Sequence, residues 1–231
     1  GPKIHAVDDH YFDVIDNHQK AYWLGFLAAD GCVKANGAVL HINLKIEDKP
    51  HLELLRDDVQ ATAEVKEHSA ERGFGDCRGR KVASFMAHSQ TLCEGLMSHG
   101  VIPHKSTILQ PPTNLPNELA SHYIRGYSDG NGCIHASKNH DVWSVVGSRE
   151  LEEWIAETVS RECGMPLRPP VQRKRIWVLE VRGPWKITQV RALLYPSIEG
   201  LRYLQRKYDI FQQIKVVKPE QSEGYRSRMG A

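Results

Sequence analysis

Two stretches of this chain, YWLGFLAADGCV from Tyr22 to Val33 and YIRGYSDGNGCI from Tyr123 to Ile134, repeat one pattern. Tyr22 matches Tyr123, Gly25 matches Gly126, Gly31 matches Gly132 and Cys32 matches Cys133, each pair 101 residues apart. That period is longer than the roughly 20–50 residues of solenoid repeats. It predicts two homologous halves of domain length, packed about a pseudo-twofold axis.

The flanking segments repeat as well. After Cys32, CVKANGAVLHINLKI alternates around an Asn-Gly turn, a hairpin signal. DKPHLELLRDDVQA follows as an amphipathic helix with Leu52, Leu55 and Val59 on one face. AEVKEHS and RKVASFMAHS read as strands separated by a glycine-rich basic loop, and SQTLCEGLMSHG reads as a helix closed by Gly100. In the second half CIHAS and DVWSVVG form a hairpin, and a helix runs from Ser148 to Gly164. VQRKR and IWVLEVRG form another hairpin, and PWKITQVRALL and LRYLQRKYDIFQQI are helical. The expected class is α+β, two pseudo-symmetric αββαββα halves, over residues 1–100 and 117–217. The proline-rich 101–116 is the linker, and the polar 218–231 is a disordered tail.

Composition excludes some classes. No apolar run approaches the roughly 20 residues of a membrane span, and the polar N-terminus GPKIHAVDDH is no secretion signal. Gly1-Pro2 resembles the scar of a removed tag. Five cysteines without a CxxC argue against a disulfide framework or zinc site and for a reducing, intracellular setting. Net charge is only +2, but it is sorted along the chain. Met165 to Arg182 holds five basic residues against Glu180 alone, and Arg72 to Lys81 holds four against Asp76. Glu47 to Asp58 holds five acids against two bases. Such sorting gives a nearly neutral protein a basic face.

WLGFLAADG and IRGYSDGNG resemble the paired motifs of single-chain LAGLIDADG homing endonucleases. The resemblance runs from about Tyr22 to Phe211, including the GVIPHKS linker entry and the C-terminal LQRKY. It implies that the two motif helices pack against each other at the interface between halves. Gly25 and Ala29 on one, and Gly126 and Gly130 on the other, lie four apart and face the contact, with Leu24, Leu27 and Tyr127 toward the cores. It also implies hydrolysis of DNA phosphodiesters with Mg²⁺, for which Mn²⁺ or Ca²⁺ can substitute in binding. The acid before the final glycine of each motif is then the metal ligand. Those positions hold Asp30 and Asn131, with the carbonyls of Ala29 and Gly130 able to join the shell. Asp129 matches Ala28 rather than Asp30, so symmetry gives it a structural role. Asn131 has the shape of aspartate without its charge. Either it is a substitution that traps DNA uncut, or the chain is a naturally degenerate binder, nickase or RNA maturase.

The resemblance further places Lys105 and Lys207 near the scissile phosphates, and Asp48 and Ser148 in a water network, the latter two equally suited to helix N-caps. It gives a saddle of two antiparallel sheets whose ribbons enter the major groove, alternate residues pointing to the bases. The DNA-reading candidates are Lys34, His41, Asn43 and Lys45, then Arg72, Arg78, Arg80 and Lys81. In the second half they are His135, Lys138, Arg173, Lys174 and Arg175, with Arg173 and Arg175 on one strand face and Lys174 on the other. The expected partner is an asymmetric double-stranded DNA site of about 20 bp, one duplex turn per half, bound by a monomer without a membrane. The alternative is a non-cleaving DNA-binding protein or a group I intron maturase on the same fold.

Overall fold

A computed structural model describes residues 5–69, 79–137 and 141–216. Arg72, Arg78, Lys138 and the 218–231 tail lie outside the described residues.

The first half runs α1 (His18–Asp30), β1 (Cys32–Val33), β2 (Val39–Lys45), α2 (Lys49–Asp58), β3 (Lys66–Ser69), β4 (Lys81–His88) and α3 (Gln90–Ser98). The second runs α4 (Ala120–Asn131), β5 (Gly132–His135), β6 (Val142–Gly147), α5 (Arg149–Cys163), β7 (Val171–Arg173), β8 (Ile176–Arg182) and α6 (Pro184–Leu194). Helix α7 (Gln205–Gln213) follows. Each half is αββαββα, and the two four-stranded antiparallel sheets share one topology, β1-β2-β4-β3 and β5-β6-β8-β7.

Local chemistry sets the helix ends. The Asn17 side chain accepts from the Gln19 and Lys20 amides to open α1. Ser89 and Ser148 do the same for α3 and α5 through the Leu92 and Leu151 amides. Gly164 closes α5 in the left-handed conformation. The predicted helix over LRYLQRKYDIFQQI begins only at Gln205. Leu201–Leu204 is held out of the helix by long-range bonds: the Leu204 amide donates to Asp129, Arg202 grips Asp58, and the Arg202 carbonyl accepts from Arg125.

Helices α1 and α4 form the axis of the molecule. Residues 21–28 of α1 are all buried, so this helix is enclosed on every side. A Cβ on Gly25 would lie 2.0 Å from the Tyr123 carbonyl oxygen, and one on Gly126 would lie 2.0 Å from that of Tyr22. The reciprocity is the pseudo-twofold axis, and only glycine permits such backbone contact. Around this pair a single apolar core spans both halves and includes Leu24, Leu27 and Tyr127. The other helices cover one face of each sheet, α2 and α3 in the first half and α5 and α6 in the second. Among the described residues, no helix is long and apolar enough to cross a membrane, and Cys32, Cys93, Cys133 and Cys163 are free thiols.

Candidate functional site

The two motif helices end side by side, α1 on Asp30 and α4 on Asn131, and each chain turns extended at the following glycine. Crossing backbones at Gly25 and Gly126 deliver both C-termini to one place. A Cβ on Gly130 would sit 2.2 Å from the Ala29 Cβ and 3.5 Å from the Asp30 carboxyl carbon. The Asp30 side chain therefore leans on the opposite motif helix.

A lysine closes each helix end. The Lys105 ammonium donates to the Gly31 carbonyl. The Lys207 ammonium donates to the matching Gly132 carbonyl at 2.7 Å, and to Ser128 (2.9 Å), Asp129 (2.5 Å) and Gly130 (3.3 Å). Cations suit this position because the helix C-terminus carries the negative end of the dipole and unpaired carbonyls. Both lysines are buried. Burial lowers both pKa values. Cys32 and Asp30 oppose the shift at Lys105, and Asp129 with Asp30 opposes it at Lys207. Among the expected ligands, the Gly130 carbonyl is thus already an acceptor for Lys207.

Burial raises the Asp30 pKa, while Lys207, Lys105 and Arg206 pull it down. The residue is exposed by area, so solvent screens part of the upward push. The Asn131 amide nitrogen points to the Tyr127 hydroxyl at 3.4 Å, and that hydroxyl donates to the Val146 carbonyl at 2.8 Å. The donor set at the helix ends is one carboxylate, one amide oxygen and main-chain carbonyls. That chemistry fits a hard divalent cation shared with an anionic ligand, since Mg²⁺ takes one or two carboxylates plus substrate phosphates. It does not amount to a protein-only site: among the described residues no three His, Cys, Asp or Glu side chains converge to hold a metal.

Asp129 is buried and accepts from the Tyr22 hydroxyl (2.8 Å), the Tyr195 hydroxyl (3.3 Å) and the Leu204 amide (2.8 Å). It is a tie between halves, in keeping with the symmetry argument. Asp48 is buried and does not cap α2. Instead it receives the Arg206 guanidinium at 2.9 and 3.1 Å from the second half. Ser148 is buried and committed to capping α5 while donating to the Leu109 carbonyl. Arg206 was not anticipated; its partner lies 158 residues away, and no local pattern announces it.

Among the described residues, each sheet has one face on which no helix packs. On the first, Lys34, His41, Asn43 and Lys45 point outward with the expected alternation, over buried Leu40, Ile42 and Leu44. Strand register adds Lys66 and His68 from β3 and Ser84, Met86 and His88 from β4. The His41 ring nitrogen lies 3.1 Å from the Ser84 hydroxyl, and burial and Lys34 lower the His41 pKa. Lys66 and His68 alternate in KEHS, a signal present in the sequence but passed over. Lys81 is a correction. It shares the parity of Ala83 and Phe85, whose side chains are buried on the helix-packed face, so it cannot belong to the open face. Arg80 is exposed just before β4.

On the second sheet, Cys133 and His135 are exposed, and Arg173 and Arg182 flank Glu180 at 3.8 and 2.5 Å. Arg173 pairs with Ile176, so Lys174 and Arg175 are the two residues of the hairpin loop, Lys174 with φ of 57°. The expected division of Arg173, Lys174 and Arg175 between strand faces is therefore wrong. A two-residue turn interrupts the alternation before Lys174.

Solved structures share this architecture. The homing endonuclease I-WcaI bound to its DNA recognition sequence superposes with a TM-score of 0.59 at 7% identity, covering 89% of each chain. The LAGLIDADG meganuclease I-CpaMI bound to uncleaved DNA superposes at 0.54 and 11% identity, covering 93% of this chain and 97% of that one. Full-length DUF199/WhiA from Thermatoga maritima superposes at 0.54 and 12% identity, covering 96% and 70%. No protein-family profile matches the sequence, and no curated protein matches it. At these identities the likeness establishes the fold, which is that of the two-motif LAGLIDADG proteins.

Proposed function

We propose that this LAGLIDADG-fold chain is a site-specific double-stranded DNA-binding protein with an endonuclease centre at its paired motif-helix ends, impaired for double-strand cleavage by Asn131. The carrying observation is the juxtaposition of Asp30, Asn131, Lys105 and Lys207 at the two helix ends. The neighbours crystallised on DNA support the reading.

The two helix-free faces would follow successive major grooves, giving an asymmetric site of about 20 bp. Asp30, the Ala29 carbonyl and the Asn131 amide oxygen would hold Mg²⁺ together with the scissile phosphates. A divalent ion there would neutralise phosphate charge and acidify an attacking water. Lys105 and Lys207 hold positive charge beside the reacting phosphates, and their bonds to the Gly31 and Gly132 carbonyls fix that charge in position. Asn131 offers oxygen without charge, so one half of the centre lacks what offsets cation desolvation. Affinity should survive this loss, because it comes from phosphate and groove contacts spread over both faces. Asn131→Asp is therefore expected to restore or greatly increase double-strand cleavage. A randomised-site DNA library digested with Mg²⁺ or Mn²⁺ tests this. Tight, selective binding by the reverted protein with no cutting would refute the endonuclease centre and favour a non-cleaving binder.

A further inference from the structure

The two sheets place chemically opposite side chains at corresponding places. In the first sheet one row crosses three strands through Asn43, Ser84 and Lys66, all polar. In the second, the row crossing the corresponding strands runs through Val146, Val178 and Val171. Both rows lie on the helix-free face. Val171 is 61% exposed and Ile176, next along that face, is 38% exposed. Val178, in the middle of the row between Val146 and Val171, is buried. Burying valine or isoleucine is favourable, so a ligand that covers these side chains gains the free energy of removing them from water.

The surrounding charge bears on which ligand would suit them. Arg173 pairs with Ile176 on one side of the row, and Lys174 and Arg175 form the adjoining hairpin loop; on the other side lies Glu180, which ion-pairs with Arg173 and with Arg182 one row further on. An apolar strip with the basic hairpin end of Arg173, Lys174 and Arg175 beside it complements a surface that is anionic outside and apolar within. The major groove has that character at thymine, where the 5-methyl group projects between phosphate walls. The polar row of the first sheet offers amide, hydroxyl and ammonium groups instead, the chemistry of hydrogen-bonded base edges.

Resting on the DNA-binding reading above, we infer that the two halves read DNA by different means: the first by hydrogen bonds, the second by packing Val146, Val171 and Ile176 on thymine methyl groups, so that the second half-site is rich in T·A pairs. The experiment selects targets from a randomised duplex library, then replaces thymine by uracil in one half-site at a time, which removes the methyl and keeps every hydrogen bond. Uracil in the half-site read by the second sheet should weaken binding about fourfold for each methyl lost, and uracil in the other should leave it unchanged. Val171→Ser, at an exposed position that tolerates it, should shrink the difference between thymine and uracil by one methyl's share, about fourfold, whereas Asn43→Ala should not change it. Equal binding of uracil and thymine in both halves, or selected sites without thymine enrichment in either, overturns the inference while leaving DNA binding intact. Failure to select any sequence refutes the DNA-binding reading and the inference with it. If Val171→Ser changes only the self-association of DNA-free protein in sedimentation, the strip is a contact between copies of the chain and the inference is overturned.

Discussion

Substituting Gly126 by alanine should be among the most damaging small changes available to this protein, although helix propensity alone favours it by about 1 kcal/mol. The added Cβ would lie 2.0 Å from the Tyr22 carbonyl oxygen and 2.8 Å from the Phe26 nitrogen. A carbon and a carbonyl oxygen approach to roughly 3.3 Å at best. Helices α1 and α4 must then part by about 1.3 Å. The obstacle is backbone, so no side-chain rotamer relieves it. Overpacking of this kind costs about 1–3 kcal/mol, more where the neighbour is immobile. With backbone against backbone the cost exceeds that range, about 3–4 kcal/mol, so a net loss of about 2–3 kcal/mol remains after the propensity gain, lowering Tm by roughly 4–12 °C for a chain of this size. Gly25→Ala should behave alike, since its Cβ would lie 2.0 Å from the Tyr123 carbonyl oxygen. Urea and thermal unfolding measure both. In the Asn131→Asp background, cleavage should fall further than DNA affinity, because the parted helices carry Asp30 and residue 131 at their ends. A Gly126→Ala protein that unfolds at or above the parent midpoint would refute the account of backbone contact at the pseudo-twofold axis.

Arg202→Ala should destabilise by about 3 kcal/mol in urea unfolding, because it leaves the largely buried Asp58 carboxylate with only the Trp23 indole in place of a bidentate partner at 2.7 and 2.8 Å. Glu152 is fully buried beside Tyr127, and neither of its carboxyl oxygens has a hydrogen-bond partner of good geometry, though the Leu179 backbone approaches it. Burial raises its pKa to about 8, above the 4.5 of the exposed acid. The folded state therefore holds the proton that the unfolded chain releases, so stability should fall as pH rises from about 4.5 to about 8, on the order of a few kcal/mol in all. Glu152→Gln should flatten that dependence in denaturation curves across the range, and an unchanged slope would assign it elsewhere. Asp30→Asn should abolish any residual nicking and divalent-ion uptake in the DNA complex while leaving affinity nearly unchanged, measured by plasmid nicking and by filter binding. Equal nicking by parent and variant would remove Asp30 from the centre.

Much of the architecture was legible in the sequence because it is encoded within short segments. The offset of 101 residues announced two halves, and period-two alternation put His41, Asn43 and Lys45 on one face. The Asn-Gly turn located the first hairpin, and Ser89, Ser148 and Gly164 marked helix ends, whereas the Lys174–Arg175 turn was read as strand. Small residues at Gly25, Ala29, Gly126 and Gly130 foretold close helix packing, since a side chain's size is a local property with a direct steric consequence. Tertiary structure decided the rest, because the partners are far apart in the chain. Arg206 reaches Asp48 across 158 positions and Arg202 reaches Asp58 across 144. The Arg202–Asp58 pair, with Arg125 and Asp129, holds Leu201–Leu204 out of the helix against its pattern. Lys207 was placed near the centre by resemblance, but only the fold shows it closing α4 through four carbonyls. The opposition of an Asn-Ser-Lys row to a row of three valines exists in no single segment. It arises from strand register, set by which apolar residues find the core together, and that cooperative choice brings the outward side chains into rows.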